Sequence, residues 1–402
     1  MSRDLHLGYV VYWGALEPLG RAVAVPVVEA FARRAQVTFV TFEKPGDLVE
    51  EEDQEAMAAR LEAAGVRWLP LRYTKRPRGA SAVWDAFRGR QALGRVHRRS
   101  PLDVVQGRTY VGGLVGMLAA RRTGAPFVYY HDACWPEEQV DAGIWPPESR
   151  RYRAARAVED RMFLAARGVV VLTEQTRRRL GREERVPDHV PTEVVRPTSG
   201  LIQRSGEGSL RRARAADDLR LVHLGSVSDR YCLGWVLSFF DHVLQERPGS
   251  RLTFLAHRDH DLIRKAAADH GVQDALEIRS VPHERVDAEI RSHDAGMVFL
   301  REGWSHHCQS PTKGGEYLAC GLPVVCNPYA GDVPELVEGK GLGVVVAEES
   351  EEAHRRALAH LLPLVEDPDL PARARSVAQE RYDLEEGVER QMAMFRRILE
   401  ES

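Results

Sequence analysis

The sequence predicts two doubly wound α/β units in tandem, followed by a helical segment at the C-terminal end. Short apolar runs alternate with longer Ala-, Arg-, Glu- and Leu-rich segments along most of the chain, which is typical of a parallel sheet wrapped by helices. The alternation stops between about 198 and 218, where Gly, Ser and charged residues replace the periodic apolar residues, and then it restarts. A length of 402 residues is enough for two domains of ordinary size.

The first unit is expected over residues 1–198. Its candidate strands are LHLGYVVYW (5–13), QVTFVTF (36–42), DVVQG (103–107), PFVYYH (126–131) and GVVVLT (168–173). Each of these runs follows or precedes a segment of helical composition. In open α/β sheets, ligands bind beyond the carboxyl ends of the strands, so we expect functional residues where these runs end.

The second unit is expected over residues 199–375. Its candidate strands are LRLVHLG (219–225), RLTFLAH (251–257), ALEIRSV (275–281), AGMVFL (295–300), LPVVCN (322–327) and LGVVVA (342–347). Residues 376–402 are predicted to be helical, with a break near Asp383.

Composition and charge limit the classes of function. Hydrophobic residues make up 44% of the chain and charged residues 29%, as in globular proteins, and the net charge of -3 does not indicate a nucleic-acid partner. The five cysteines lack C-x-x-C spacing, which argues against a cysteine zinc site. The amino end carries one Arg and no long apolar run, and no segment approaches the ~20 apolar residues of a membrane span. We therefore expect a cytoplasmic protein.

The segment SPTKGGEYLACGLPVVCN (310–327) predicts a helix whose start binds an anion. Ser310 suits the N-cap, Pro311 the first helical position and Gly321 the C′ position. The backbone amides that follow point outward from a helix start, and the two glycines lack the Cβ atoms that would hold a ligand away. The residues of this predicted cradle are Thr312, Lys313, Gly314 and Gly315.

One carboxylate completes the motif. Glu316, one turn into the helix, could accept hydrogen bonds from the vicinal hydroxyls of a ribose, while Lys313 meets a diphosphate. The spacing suits a nucleoside diphosphate. In the alternative interpretation, Gly314 and Gly315 only allow close helix packing, and the two charged side chains are solvated.

These residues resemble a known family. SPTKGGEYLACGLPVV is similar to the donor-site signature of glycosyltransferase family 4, retaining enzymes of the GT-B fold, and most of the chain shares the similarity, including features of one bacterial branch. The further similar segments are LVHLGSVSDRYCLGWVLSFF (221–240), FVYYHDACWPEEQVDAGIWPP (127–147), AVEDRMFLAARGVVVLTEQTRRRL (157–180), PTEVVRPTSGL (191–201) and YAGDVPELVEGKGLGVVV (329–346).

The resemblance implies two Rossmann-like domains facing a cleft, with the final helix crossing back to the first domain. It also implies retaining transfer of a sugar from a nucleotide sugar, which we favour as a UDP-sugar, to an unidentified small-molecule, glycan or lipid-linked acceptor, without a metal or other cofactor. The donor-binding residues implied are Gly20, Gly225, Ser226, Ser310, Pro311, Thr312, Lys313, Gly314, Gly315 and Glu316.

The sequence departs from the family pattern at three places. Cys308 stands where the family has a Glu that contacts the transferred sugar, and Glu302 lies six residues earlier. The pair of cations that faces the diphosphate is incomplete, with Arg230 as the candidate partner of Lys313; a surface role for Arg230 is the alternative. Gly20 stands alone where the family has two adjacent glycines.

Residues for the acceptor side and for catalysis follow from strand ends and from the branch motif. His131 ends a candidate strand and could position the acceptor or transfer a proton, or it could be a structural histidine. Arg108, Trp135 and Glu138 match the branch motif, and packing is the alternative role for Trp135. The predicted catalytic set is Lys313, Glu316, Arg230 and His131.

A basic stretch in the first unit suggests a further partner. Residues 72–99 contain nine Lys or Arg and one Asp. This stretch would suit an anionic membrane surface or a phosphorylated acceptor, and an ordinary solvated surface is the alternative. Asp259, His260 and Asp261 resemble a metal-binding D-x-D only superficially, and we expect no metal there.

Two other functions stay open at this point. A nucleotide-sugar epimerase shares the two-domain architecture but would need carboxylates and His for proton transfer at carbon. A non-catalytic subunit that binds nucleotide sugar is the second alternative, because Cys308 replaces a sugar-contacting Glu.

Overall fold

The chain forms two compact units. A computed structural model describes residues 5–17, 19–44, 51–76, 80–198, 202, 218–227, 231–282 and 285–401. Unit 1 comprises Met1–Arg196 together with Leu384–Ser402, and unit 2 comprises Pro197–Asp383. The return to unit 1 thus begins at 384, whereas the sequence placed that boundary at 376.

Unit 1 contains a seven-stranded parallel sheet in the order β3-β2-β1-β4-β5-β6-β7, as far as the described residues show. Its strands are β1 His6–Val11, β2 Gln36–Glu43, β3 Val66–Arg72, β4 Val104–Arg108, β5 Phe127–His131, β6 Gly168–Val171 and β7 Thr192–Val194. Its helices are α1 Val25–Ala32, α2 Glu51–Ala63, α3 Ala80–Arg99, α4 Tyr110–Thr123, α5 Trp135–Asp141, α6 Arg150–Ala165 and α7 Glu174–Arg182.

Unit 2 contains a six-stranded parallel sheet in the order β10-β9-β8-β11-β12-β13 across its described residues. Its strands are β8 Arg220–Leu224, β9 Arg251–Leu255, β10 Leu276–Arg279, β11 Ala295–Val298, β12 Val324–Cys326 and β13 Gly343–Val345. Its helices are α8 Leu233–Glu246, α9 His260–Asp269, α10 Val286–Arg291, α11 Thr312–Ala319, α12 Val333–Lys340, α13 Glu351–Glu366 and α14 Leu370–Tyr382. Both sheets place the first strand beside the fourth, which is the doubly wound order. The predicted α/β fold class is confirmed.

Burial explains why the strands appear as continuous apolar runs. In β1, Leu7, Tyr9 and Val11 pack into one hydrophobic cluster, while Val10 packs into a second cluster on the other face of the sheet. Successive side chains of a strand point to opposite faces, so a strand covered by helices on both faces is apolar throughout. Unit 2 has the same two-faced core.

The final helix, α15 Leu384–Glu400, packs on unit 1. Its Phe395 ring lies 5.8 Å from that of Phe31 in α1, and Gln106 of β4 donates a 2.8 Å hydrogen bond from Nε2 to Oε1 of Gln391. The preceding helix, α14, instead packs against α11 in unit 2. None of the helices in the described residues is long and apolar enough to cross a lipid bilayer.

Candidate functional site

Helix α11 begins at the carboxyl edge of the unit 2 sheet. Pro311 occupies its N-cap with φ -64° and ψ 123°, and its apolar side chain makes no capping hydrogen bond. The helix therefore starts one residue later than predicted, and within the described residues the buried Ser310 hydroxyl has no hydrogen-bond partner. The predicted helix end is confirmed, because Gly321 adopts a left-handed φ of 80° just after the last turn.

The two glycines of α11 face neighbouring helices. A Cβ atom built on Gly314 would lie 2.9 Å from Val333, and one on Gly315 would lie 2.9 Å from Tyr382. Both distances are too short for a side chain, so the missing Cβ atoms allow α11 to pack against α12 and α14. This geometry supports the alternative interpretation, in which the two glycines allow close helix packing. The role of their backbone in donor binding stays a prediction.

Lys313 is buried, with only 6% of its surface exposed. Its Nζ donates a 2.9 Å hydrogen bond to the backbone oxygen of Ser226 and lies 3.3 Å from the centroid of the Tyr231 ring. A buried ammonium is stable only where hydrogen-bond acceptors or aromatic faces replace water. Lys313 therefore places a fixed positive charge between the start of α11 and the loop after β8.

The loop after β8 turns sharply beside this ammonium. Gly225 has a left-handed φ of 75°, and a Cβ at this position would lie 4.0 Å from Nζ of Lys313. The hydroxyl of Ser226 donates to Oδ2 of Asp259 at 3.1 Å, which ties the loop to the start of α9. Glycine is favoured where the backbone has a positive φ. Arg230, the predicted second cation, lies outside the described residues.

His223 lies in β8 behind the same loop. It is fully buried between the rings of Tyr231, at 6.0 Å, and Phe254, at 5.3 Å. Burial lowers the pKa of His223 well below its usual value of 6.5, and the nearby ammonium of Lys313 lowers it further. The imidazole is therefore neutral at pH 7 and leaves the local positive charge to Lys313.

Glu316 is buried one turn into α11, with 9% of its surface exposed. The adjacent Tyr317 fixes the helix against the sheet: its hydroxyl accepts from the Leu224 amide at 2.8 Å and donates to the Met297 oxygen at 3.1 Å. A Cβ on Gly296 would lie 2.2 Å from the Tyr317 ring, so the strand needs glycine there. Lys313 and Glu316 are thus carried by a helix with a fixed position.

A cavity of about 700 Å³ opens beside Tyr231, on unit 2 alone. Its lining includes Trp235 of α8, Glu302 after β11 and Tyr329 after β12. Burial raises the pKa of Tyr329, and the negative charge of the nearby Glu302 carboxylate raises it further. Aromatic rings beside a carboxylate form a surface suited to polyhydroxylated ligands.

At the carboxyl edge of the unit 1 sheet, Arg108 of β4 is almost fully buried. Its Nε donates to Oδ2 of Asp132 at 3.0 Å, and its guanidinium lies over the rings of Tyr130 and Trp13, at 4.4 and 5.1 Å from their centroids. The next residue, Thr109, has φ 71°, an unusual value for a β-branched residue. Strain of this kind costs about 1–3 kcal/mol and concentrates at functional sites.

His131 belongs to a buried charged group. Its Nε2 lies 3.4 Å from Oε1 of Glu159, whose other oxygen accepts a 2.7 Å hydrogen bond from Arg185. Burial alone would raise the pKa of Glu159, but His131 and Arg185 hold it below the usual value. A buried carboxylate therefore lies next to the His131 imidazole, an arrangement compatible with both the functional and the structural interpretation.

The remaining predicted residues of unit 1 are packed. The Trp135 ring lies 4.6 Å from that of Tyr110 and 5.2 Å from that of Trp145, which matches the packing alternative. Glu138, in the first turn of α5, is partly exposed. A Cβ on Gly20 would lie 2.0 Å from the Gly14 oxygen, so this glycine serves close contact within its loop. Roles for these residues toward substrates stay predictions.

Comparison with known families agrees with this geometry. Residues 20–198 match a family described as glycosyl transferase 4-like domain, and residues 218–363 match one described as glycosyl transferases group 1. The two matches follow each other in chain order, and together they span most of both units. The chain belongs to the GT-B glycosyltransferases. No curated protein sequence matches this glycosyltransferase.

Solved structures share the fold of this glycosyltransferase over nearly its whole length. Sucrose-phosphate synthase from Thermosynechococcus elongatus has a TM-score of 0.72 at 15% identity, with 99% of this chain and 100% of that chain covered. A glycosyltransferase from Rickettsia africae has a TM-score of 0.70 at 11% identity, with 99% and 100% covered. Anabaena HepE, solved in complex with UDP and glucose, has a TM-score of 0.61 at 15% identity, with 97% and 98% covered.

The structure brings Gly225, Ser226 and Lys313 of this glycosyltransferase together, although Ser226 and Lys313 are 87 residues apart in sequence. Sequence reasoning did not find His223 or Tyr231, which complete the surroundings of the ammonium. Their signal in the sequence was weak, because His223 lies within the apolar run of β8 and Tyr231 lies seven residues beyond its end. Among the described residues, no three His, Cys, Asp or Glu side chains lie close enough together to hold a metal ion.

Proposed function

We propose that this glycosyltransferase transfers a sugar, with retention of configuration, from a UDP-sugar to an acceptor hydroxyl, and that it does so without a metal. The observation that carries the proposal is the buried ammonium of Lys313 in the first turn of α11, a helix whose N-cap residue is Pro311. A helix start attracts anions by about 0.3–1 kcal/mol, and a fixed ammonium adds a charge-assisted hydrogen bond of about 1.5–3 kcal/mol. Together they suit the diphosphate of a donor.

Charge stabilisation at the leaving group supplies the chemistry. As the bond between the anomeric carbon and the diphosphate oxygen breaks, negative charge grows on the diphosphate. The ammonium of Lys313 and the first-turn amides would stabilise this charge, and because Ser226 and Tyr231 already hold the ammonium in place, it would need little reorganisation during the reaction. The acceptor oxygen bonds to the anomeric carbon on the same face, its proton passes to a donor phosphate oxygen, and UDP leaves. No protein nucleophile is required.

The ribose and the base define the nucleotide. The carboxylate of Glu316 lies one turn beyond Lys313 on α11, at a distance that suits the ribose of a nucleotide whose diphosphate meets the helix start. We favour UDP because HepE, which has the same fold, was solved with UDP.

The cavity beside Tyr231 is our candidate site for the transferred sugar. The Lys313 ammonium contacts the face of the Tyr231 ring, and Tyr231 also lines the cavity. The Tyr231 ring therefore connects the proposed diphosphate site with the cavity. Glu302 supplies a carboxylate there, although Cys308 occupies the position where the family has a Glu. Glu302 would accept hydrogen bonds from sugar hydroxyls.

The acceptor side is assigned to the carboxyl edge of the unit 1 sheet. Arg108, which donates to Asp132, and His131, which lies beside Glu159, are buried polar groups at that edge. They would bind and orient the acceptor, and they are not required for breaking the bond between sugar and phosphate.

Calorimetric titration of the purified chain with UDP, followed by donor turnover, tests this function. Glu316→Gln should weaken UDP binding about 10-fold, because ribose hydroxyls then lose a charged acceptor. The matched control, Glu338→Gln, changes an exposed carboxylate of α12 and should bind UDP normally.

Two outcomes would contradict the function. Equal UDP affinity in Glu316→Gln and wild type would remove the assignment of the ribose site. Exchange of solvent hydrogen into the sugar without transfer would indicate the epimerase, and tight donor binding with neither exchange nor turnover would indicate the non-catalytic subunit.

A further inference from the structure

Helix α3 exposes large apolar side chains on one face. Val83, Trp84 and Phe87 are 65%, 54% and 40% exposed, and the rings of Trp84 and Phe87 stack with centroids 5.9 Å apart. Positions 83, 84 and 87 lie on the same side of a helix. Single exposed apolar residues are common on protein surfaces, but a contiguous patch marks an interaction site.

Basic residues lie on the same helix as this patch and in the segment before it. The basic residues of α3 that reach the surface are Arg88, Arg90, Arg95, Arg98 and Arg99. The one acidic residue of α3, Asp85, is fully buried and pairs with Arg88 at 3.2 Å, so the surface charge comes mainly from the other arginines. Just before α3, Arg72, Lys75 and Arg76 are exposed as well. The described surface of this helix therefore carries charge of one sign beside aromatic rings.

Asp85 holds the patch at the edge of the sheet where the acceptor-side residues lie. Its Oδ2 accepts hydrogen bonds from the Tyr12 hydroxyl and the Thr74 amide, both at 2.9 Å. Tyr12 directly follows β1, and α3 follows β3, so the amino end of α3 lies at the carboxyl edge of the unit 1 sheet. Arg108 ends β4 at the same edge.

We propose that the exposed face of α3 docks on an anionic membrane surface, with Trp84 and Phe87 in the interface and the arginines on lipid headgroups. Trp favours the membrane interface, and amphipathic helices with basic polar faces lie in the plane of anionic bilayers. Each basic residue near such a surface strengthens binding about fivefold at moderate ionic strength.

This docking extends the proposed function, and its statement about the acceptor rests on that function. A membrane beneath α3 brings the edge that carries Arg108 next to the bilayer, so the acceptor would be a lipid-linked molecule. The docking itself depends only on α3 and is measured without any substrate.

Vesicle co-sedimentation with the full chain tests the docking. Vesicles of phosphatidylcholine with about 30% phosphatidylserine should bind the wild type, and vesicles of pure phosphatidylcholine should bind it at least about 10-fold more weakly. Trp84→Ala with Phe87→Ala should reduce binding to the anionic vesicles by at least about 10-fold. The matched control is Leu164→Ala, which changes a 67% exposed apolar residue of α6 and should bind like the wild type.

A second variant tests the contribution of positive charge to vesicle binding. Arg95→Gln with Arg98→Gln should weaken binding about 20-fold and reduce its dependence on salt. UDP affinity should be the same in all variants, which shows that they fold and separates this test from that of the donor site.

The docking proposal is overturned by equal binding to neutral and anionic vesicles, by equal loss in the Leu164→Ala control, or by failure of the wild type to bind either vesicle. If the wild type binds neither vesicle, the exposed face of α3 would instead be an interface for a protein partner. Vesicle binding without UDP binding would instead keep the docking and refute the proposed donor site.

Discussion

Replacing Lys313 with Met removes one charge from the proposed donor site and keeps most of the side-chain volume. In the wild type, Nζ of Lys313 donates to the Ser226 oxygen at 2.9 Å and lies on the face of Tyr231, with 6% of the residue exposed. Met is unbranched and apolar and can occupy the same narrow space. The variant therefore separates the effect of charge from that of packing.

The structure sets the expected size of the effect on binding. A hydrogen bond to a charged group contributes about 1.5–3 kcal/mol, and each 1.4 kcal/mol is a tenfold change in Kd. Lys313→Met should therefore raise the Kd for UDP by about 10- to 150-fold. The Kd for uridine, which lacks the diphosphate, should change by less than about threefold.

Stability should respond much less than binding. The substitution loses the hydrogen bond to Ser226 but also removes the cost of burying an ammonium, and the two effects oppose each other. We expect the free energy of unfolding to change by less than about 1.5 kcal/mol. Urea unfolding of the variant measures this difference.

Isothermal titration with UDP and with uridine gives the two affinities. Lys340→Met is the matched control, because Lys340 is exposed at the end of α12 in the same unit. An unchanged Kd for UDP in Lys313→Met, together with a normal unfolding curve, would refute the reasoning. An equal loss in the Lys340 control would show a general charge effect instead.

Three further predictions concern sugar choice, packing and pH. Glu302→Gln should raise KM for the UDP-sugar about 10-fold while UDP affinity stays unchanged, because only the sugar would contact this carboxylate; equal losses for both ligands would contradict it. Gly315→Ala should destabilise unit 2 by about 1–3 kcal/mol in urea unfolding, since the new methyl group would lie 2.9 Å from Tyr382; a neutral substitution would contradict the packing role. The pKa of Glu159 is held below 4.5 in the folded chain, so this carboxylate stabilises the fold above that pH, and the stabilisation is lost as pH falls through the folded pKa. Glu159→Gln should therefore lose less stability below pH 4.5 than the wild type does. Equal pH profiles of unfolding would contradict the ion pair between Glu159 and Arg185.

Much of the fold could be predicted because apolar periodicity is a local property of the sequence. All six described strands of unit 2 and five of the seven described strands of unit 1 appear in the sequence as apolar runs, and Gly321 ends α11 where its conformational freedom is needed. Strands β3 and β7 were missed, because they are the edge strands of the unit 1 sheet and carry polar, partly exposed residues. The start of α11 was placed one residue early, because Pro311 is compatible with both the N-cap and the first helical position.

The surroundings of the site could not be predicted in the same way. The contact between Lys313 and Ser226 joins residues 87 apart, and nothing in the local sequence indicates that Tyr231 lies beneath the ammonium. The glycines of α11 are a second example of contacts that the local sequence does not indicate. The sequence allows Gly314 and Gly315 either a ligand-binding or a packing role, and only the tertiary structure shows their close packing against Val333 and Tyr382.

A crystal structure of the chain soaked with UDP tests the central claim most directly. The account predicts diphosphate oxygens within hydrogen-bond distance of Nζ of Lys313 and the amides at the start of α11, with the ribose on Glu316. A diphosphate bound elsewhere on the chain, with the start of α11 empty, would contradict it.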